Sequence, residues 1–190
     1  MGNNWKITDT LTKVFADEVP DGQGSIRLST LHRETVSCVI AYFGTADWGR
    51  YWKVSVKAPE KIETRLRRVE LVPSAYPCHK EQDDNYLRIV PGMYPDLLRD
   101  LDTEGDGADK KYLTKEVPGQ WRSLWLDVTV DVELAGGDYA IVIETETEDG
   151  EKETLKADLH VVDASLPPQK LLHTEWFHSC LLYTSDAADD

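Results

Sequence analysis

The sequence predicts an all-β fold, an antiparallel β-sandwich of immunoglobulin-like or jelly-roll-like character, over residues 1–163. Three observations carry this. From residue 5 to about 163, apolar residues almost never recur at helical spacing. Short runs rich in Val, Ile, Thr, Tyr and Trp recur instead, some alternating strictly between apolar and polar. Gly, Pro and Asp punctuate the chain between those runs, as turns between strands require.

The runs follow in chain order. "ETVSCVIAYFG" (34–44) is nearly continuous in apolar residues, and "RYWKVSVKA" (50–58) alternates. "KIETRLRRVELV" (61–72) interleaves Arg65, Arg67 and Arg68 with Glu63, Leu66, Val69 and Glu70, which predicts one charged outer strand face balanced by its neighbours. "WLDVTVDVEL" (125–134) sets Leu126, Val128, Val130, Val132 and Leu134 against Trp125, Asp127, Thr129, Asp131 and Glu133, so it predicts a half-buried strand. "AGGD" then offers Gly136 and Gly137 for a turn into "YAIVIETET" (139–147), which predicts a β-hairpin. Asp149-Gly150 turns the chain once more into "EKETLKADLHVVD" (151–163). Pro167 and Pro168 in "DASLPPQ" cannot join a central ladder, so residues 164–169 are expected to be a Pro-rich linker.

Charge narrows the function classes. Lys and Arg total 21 against 35 Asp and Glu, a formal net charge of −14, which argues against nucleic acid or an anionic membrane as partner. No apolar run is long enough to span a bilayer. The opening "MGNNWKITDTLTKVF" lacks the layout of a secretory leader, and Lys6 stands where a myristoylation signal wants Ser or Thr. A bacterial cytoplasmic protein is the expectation. Cys38, Cys78 and Cys180 form neither a disulfide framework nor a CxxC pair, and Cys38, inside "VSCVIAYF", is expected to be a buried, inert thiol.

Few residues invite a site. Trp48, Tyr51 and Trp52 in "ADWGRYWKV" form an aromatic cluster that would suit a sugar platform if exposed, and would otherwise fill a sandwich core. "LDTEGDGADKK" imitates a calcium loop through Asp102, Glu104 and Asp106, yet it has Glu at the third position and Leu113 at the twelfth, so a solvated acidic loop is expected. Cys78 beside His79 has no third partner at a useful spacing. No metal and no cofactor is expected.

Four stretches resemble the glycoside hydrolase family 123-like proteins. "KVFADEVP" (13–20) looks like the opening strand of that family, and "VPGMYPDLLRDL" (90–101) like its Pro-Asp-Leu-Leu segment. "GQWRSLWLDVTV" with "AGGDYAIVI" is similar to its strand, Gly turn and Tyr unit. "LPPQKLLHTEWFH" (166–178), the most specific of the four, looks like the junction into its catalytic barrel. The resemblance implies a non-catalytic N-terminal sandwich followed by the truncated start of a (β/α)8 barrel, with residues 170–179 as the first barrel strand. It implies a parent enzyme acting on N-acetylgalactosaminides by substrate-assisted retention, through an adjacent Asp-Glu pair that no segment here matches. Catalytic residues are therefore expected downstream of Ser179, and this fragment is expected to be inactive.

On such a barrel strand, Glu175, Trp176 and His178 lie toward the end that faces substrate, and they are candidates to line the sugar site. His173 and His178, five residues apart, would point to opposite faces and could not share a zinc. The implied partners are the carbohydrate, reached through the barrel, and the barrel itself. A stand-alone carbohydrate-binding or protein-interaction sandwich is the alternative. The closing "CLLYTSDAADD" (180–190) back-translates in one frame into TGT CTC TTA TAC ACA TCT GAC GCT GCC GAC GAY, which looks like library adapter DNA, so it is set aside from fold and site.

Overall fold

The computed structural model describes residues 4–45, 50–78, 86–168 and 170. It is all-β, two sheets face to face. Strands β1 (Trp5–Thr8), β3 (Thr35–Phe43), β9 (Trp121–Val130), β5 (Ile62–Ser74) and β6 (Gly92–Asp100) form one sheet, in the spatial order β1-β3-β9-β5-β6. Strands β2 (Ser25–His32), β11 (Lys152–Ser165), β10 (Gly137–Thr147), β4 (Tyr51–Lys57), β8 (Lys111–Lys115) and β7 (Asp102–Glu104) form the other, in the order β2-β11-β10-β4-β8-β7. Every ladder is antiparallel except β2 with β11, which is parallel. Among the described residues no helix is long and apolar enough to cross a membrane.

The alternating runs place the core. Leu124, Leu126, Val128 and Val130 of β9 face Ile141 and Ile143 of β10 and Leu155, Ala157 and Leu159 of β11 across the sandwich, all in one buried cluster. The Asp149-Gly150 turn joins β10 to β11 as expected, with Gly150 at φ 82 and its N–H donating to the Thr147 carbonyl.

The hairpin expected between 125–134 and 139–147 does not form. β9 pairs with β3 and β5, whereas β10 pairs with β11 and β4, so the "AGGD" connection carries the chain from one sheet to the other. The alternation of "WLDVTVDVEL" continues to Leu134, but the ladder stops at Val130. There the Asp131 side chain accepts the Glu133 N–H at 2.8 Å and the Asp131 carbonyl accepts that of Leu134 at 3.3 Å, turning the backbone out of the sheet.

Two more expectations are corrected. Residues 13–20 are not the opening strand; they form an irregular segment, and the first strand is β1. The arginines of β5 do not share one face. Arg65 and Arg67 reach Asp100 (2.8 Å) and Asp127 (2.5 Å) on the outer face, while Arg68 lies on the face shared with Leu66 and pairs with Glu70 at 2.5 Å. Strict alternation along the strand dictates this, because residues 67 and 68 must point oppositely.

β3 is buried on both faces, as its continuous apolar run requires. Cys38, Ile40 and Tyr42 enter the main core, and Val39 and Ala41 enter a second cluster on the outer side with Val14, Trp121, Phe43 and Trp125. The 9–23 segment covers that outer cluster, its Ala16 carbonyl accepting the Trp121 N–H at 2.9 Å.

Candidate functional site

The sandwich interior holds an aromatic knot at the end where β3 finishes. Trp5 stacks on Tyr42 with centroids 4.9 Å apart and meets Trp52 edge-on at 5.1 Å. Trp52 is 3% exposed and its indole N–H donates to the carboxylate of Glu116, itself 2% exposed. Glu116 also accepts the Thr45 N–H at 3.1 Å. Trp52 therefore cannot serve as a surface sugar platform; alternation along β4 turns its ring inward. Tyr51 points the other way, half-buried beneath the Lys115 ammonium, 4.6 Å from its ring centroid. Trp48 lies outside the described residues. The structure thus separates Tyr51 from Trp52 instead of bringing them together.

Glu175, Trp176 and His178, with His173 and His79, lie outside the described residues. In the acidic loop, Glu104 is taken up by Lys53 Nζ at 2.8 Å, and a 3-10 turn at Gly107–Asp109 follows Asp106. Among the described residues no three His, Cys, Asp or Glu side chains gather into a group able to hold a metal. Cys38 is buried beside Asp127, and burial first, then that negative charge, pushes its thiol up to about 12.

Sequence reasoning missed a concavity at one edge of the sandwich. β5 and β6 run on past the start of β9 as a two-stranded arm, paired from Val69↔Leu98 to Ser74↔Gly92 with a register shift between Glu70 and Leu71. Between this arm and the 13–18 segment opens a cleft of about 540 Å³, lined among others by Lys13, Phe15, Tyr86, Arg88, Tyr94 and Asp96. Its floor is well tied. Arg88 lies over the Phe15 ring at 3.9 Å, contacts Asp17 at 2.8 Å, and pairs with Glu18. Phe15 meets Tyr94 edge-on at 5.7 Å, and the Tyr94 hydroxyl donates to the carbonyls of Val90 (2.5 Å) and Arg88 (3.2 Å). The Arg88 hydrogen bond holds the Asp17 carboxyl below the usual carboxylate range.

Leu87, which also lines the cleft, is 73% exposed, and beyond the cleft Tyr76 is 91% exposed, with Ile89, Val90 and Met93 also exposed. The available signal was compositional. "LVPSAYP" and "YLRIVPGMYP" concentrate Pro, Tyr and aliphatic residues without strict alternation.

No protein-family model matches the chain, and no curated protein matches it. Solved structures do. One is a family 123 glycoside hydrolase from Clostridium perfringens, studied for glycolipid glycan hydrolysis, at TM-score 0.59 and 10% identity. The match covers 86% of this chain and 28% of that one, so the present chain spans under a third of that enzyme's length. The N-terminal domain of PorA (TM-score 0.40, 9% identity, 85% of this chain and 99% of that) is a looser match. So is the C-terminal domain of the Streptococcus agalactiae polypeptide BspA (0.41, 14%, 83% and 49%). At these identities the likeness is one of fold: the chain is a β-sandwich of the kind that a family 123 glycoside hydrolase contains.

Proposed function

We propose that this sandwich is the non-catalytic N-terminal domain of a bacterial, cytoplasmic glycoside hydrolase that acts on N-acetylhexosaminides, N-acetylgalactosaminides in particular, by substrate-assisted retention. The observation that supports it most is the fold likeness across 86% of the chain to part of a family 123 glycoside hydrolase. The junction "LPPQKLLHTEWFH" adds an independent reason from the sequence. The catalytic pair then belongs to a barrel encoded beyond Ser179, and Glu175, Trp176 and His178 line its sugar site. The sandwich supports that barrel through an intramolecular interface and needs no cofactor.

The test is genetic and then enzymatic. Sequencing untouched template across codon 179 is expected to replace the last eleven residues with barrel sequence containing an adjacent Asp-Glu pair. The complete protein is expected to release N-acetylgalactosamine from an aryl glycoside with retained anomeric configuration, and the 190-residue chain to release none. Template that encodes the present ending, or a complete protein inert on every N-acetylhexosaminide, defeats the proposal.

A second reading, a carbohydrate-binding or protein-interaction sandwich, draws on the cleft at the β5–β6 arm. Tyr86 and Tyr94 beside Arg88 and Asp96 combine ring faces with polar groups, which sugars use. Titration of the chain with galactosaminides, followed by intrinsic fluorescence, separates the two. A saturable response abolished by Tyr86→Ala favours a binding module; no response to any sugar removes that role.

A further inference from the structure

We infer that the core-side face at the root of the β5–β6 arm is an oxyanion-binding site built from Arg68, Arg99 and Arg122. The pleat puts all three there. Arg122 shares its face of β9 with the buried Leu124 and Leu126, and Arg68 shares its face of β5 with the buried Leu66. Arg99 lies opposite Arg68 across the β5–β6 ladder, and Arg122 lies opposite Tyr42 across the β3–β9 ladder. Three adjacent strands, β9, β5 and β6, therefore contribute one arginine each. Behind burial and the Thr114 hydrogen bond, the charges bearing on the Tyr42 phenol are Arg68, Arg122 and Glu70, which gathers them at this end of the core.

Among the described residues, one carboxylate serves these three guanidiniums. Glu70 accepts from Arg68 through Nε at 2.8 Å and Nη2 at 2.5 Å, and Arg99 Nε stands 3.7 Å from the same oxygen. Arg122 has no carboxylate partner among the described residues. Its Nη2 donates to the Gln120 side-chain oxygen at 3.0 Å, and its Nε is buried with no hydrogen-bond partner. Arg50 and Arg67 also bury an unpartnered Nε, yet each holds a carboxylate, Glu151 at 2.9 Å for Arg50 and Asp127 at 2.5 Å for Arg67. Glu116, also at this end, accepts from the Trp52 indole and from the Thr45 N–H. Like charges directly opposite each other destabilise a ladder, and a guanidinium cannot shed its proton to relieve them.

A chain of formal net charge −14 thus keeps a local excess of positive charge on a half-buried face. That excess calls for an anion, and the donors left over say which kind. A guanidinium offers five N–H groups in a planar fork that matches two oxygens of a sulfate, phosphate or carboxylate. The Arg99 side chain, 62% exposed, makes no hydrogen bond among the described residues, so its fork is open beside Arg68. Leu97, opposite Glu70, is 49% exposed. The second sheet therefore does not close over this face, and an anion can reach it from solvent.

Titration of the full 190-residue chain with sodium sulfate, sodium phosphate and sodium glucuronate tests this, read on the arginine Nε–H resonances. Sodium chloride at matched ionic strength is the control. Each oxyanion is expected to shift the Arg99 and Arg122 signals saturably, and chloride to leave them in place. Arg99→Gln and Arg122→Gln, each followed on the signal that remains, should weaken binding at least about tenfold. Arg27→Gln, at an exposed position of β2 in the other sheet, should leave it unchanged. Glucuronate held about tenfold tighter than sulfate upholds the site and assigns the oxyanion to an acidic saccharide. Equal or weaker binding of glucuronate upholds it and assigns a free inorganic anion. No saturable shift with any oxyanion overturns the inference, as does an affinity that neither substitution changes. If Arg122→Gln fails to fold, Arg99→Gln alone decides. None of these outcomes bears on the glycosidase proposal, which stands or falls on the complete gene.

Discussion

The hydroxyl of Tyr42, on β3, lies 2.7 Å from that of Thr114, on β8, and so ties one sheet to the other at the end of the core where β3 finishes. The Tyr42 hydroxyl also reaches the Lys115 carbonyl at 3.2 Å. Burial, the first of the influences on it, raises the phenol to about 12, so Tyr42 stays neutral and able to donate across the physiological range. Tyr42→Phe strands the buried Thr114 hydroxyl and is expected to cost about 1–3 kcal/mol in urea unfolding. Thr114→Val in the Tyr42→Phe background should recover part of that loss, because the stranded group is gone. A double variant no more stable than the single one contradicts the cross-sheet tie.

Gly44 predicts a sharp steric contrast. It bridges to Pro118, with its N–H on the Gln120 carbonyl at 3.1 Å and the Gly119 N–H on its own carbonyl at 2.9 Å. A Cβ there would run into the backbone carbonyl of Val117, whereas one at Gly92 would meet nothing within 4 Å. Gly44→Ala should therefore lower stability by about 1–3 kcal/mol through forced backbone movement, with Gly92→Ala close to neutral. Equal melting temperatures for the two variants would refute the close approach.

The thiols should separate by reactivity. Cys38 is buried and its thiol raised to about 12, so it should resist a thiol-specific reagent at pH 8 until the protein unfolds. Cys78, half-exposed beside the Ile89 carbonyl, should react in the native state. The linkage has a definite sign. Because folding raises the Cys38 value, its contribution is whole below the ordinary thiol range and is lost as pH climbs above that range. Mass mapping of labelled peptides checks the order of modification.

The arm should loosen in acid. Arg88 lowers the Asp17 value in the folded chain, so the stabilisation is present above the ordinary Asp range and is lost as pH falls through the lowered value. The pair is largely solvated on the Asp17 side, so the effect is local and salt-sensitive. Amides of 13–18 and 86–94 should gain exchange as pH falls below the ordinary Asp range, before the β9–β3 ladder does. Asp17→Asn should show that loosening already at neutral pH. Uniform exchange in both regions at every pH would deny the local tie.

Much of this architecture was legible in the residues, and the failures are informative. "WKVSV" and "AIVIETET" declare their strands by alternation, and "SCVIAYF" declares a strand covered on both sides. The partner of each strand was not legible. Pairing β9 to β10 by proximity ignored Asp131, whose side chain caps a turn before the alternation ends. The site was less legible still. Trp52 and Tyr51 are adjacent letters, yet the pleat sends one into the core and the other outward, and only the sheet position decides which. The Phe15, Arg88 and Tyr94 cleft joins residues some 70 positions apart, with no local pattern to announce it.

The parallel ladder of β2 with β11 sets Ser25 opposite Lys156 and Thr30 opposite Val161, so the second strand waits for the last. During synthesis, that edge stays without its neighbour until nearly the whole domain has left the ribosome. Assembly of this sandwich should accordingly be slow and all-or-none, dominated by distant closures. A polypeptide halted before Ala157 should linger as a chaperone client, never as a smaller stable domain.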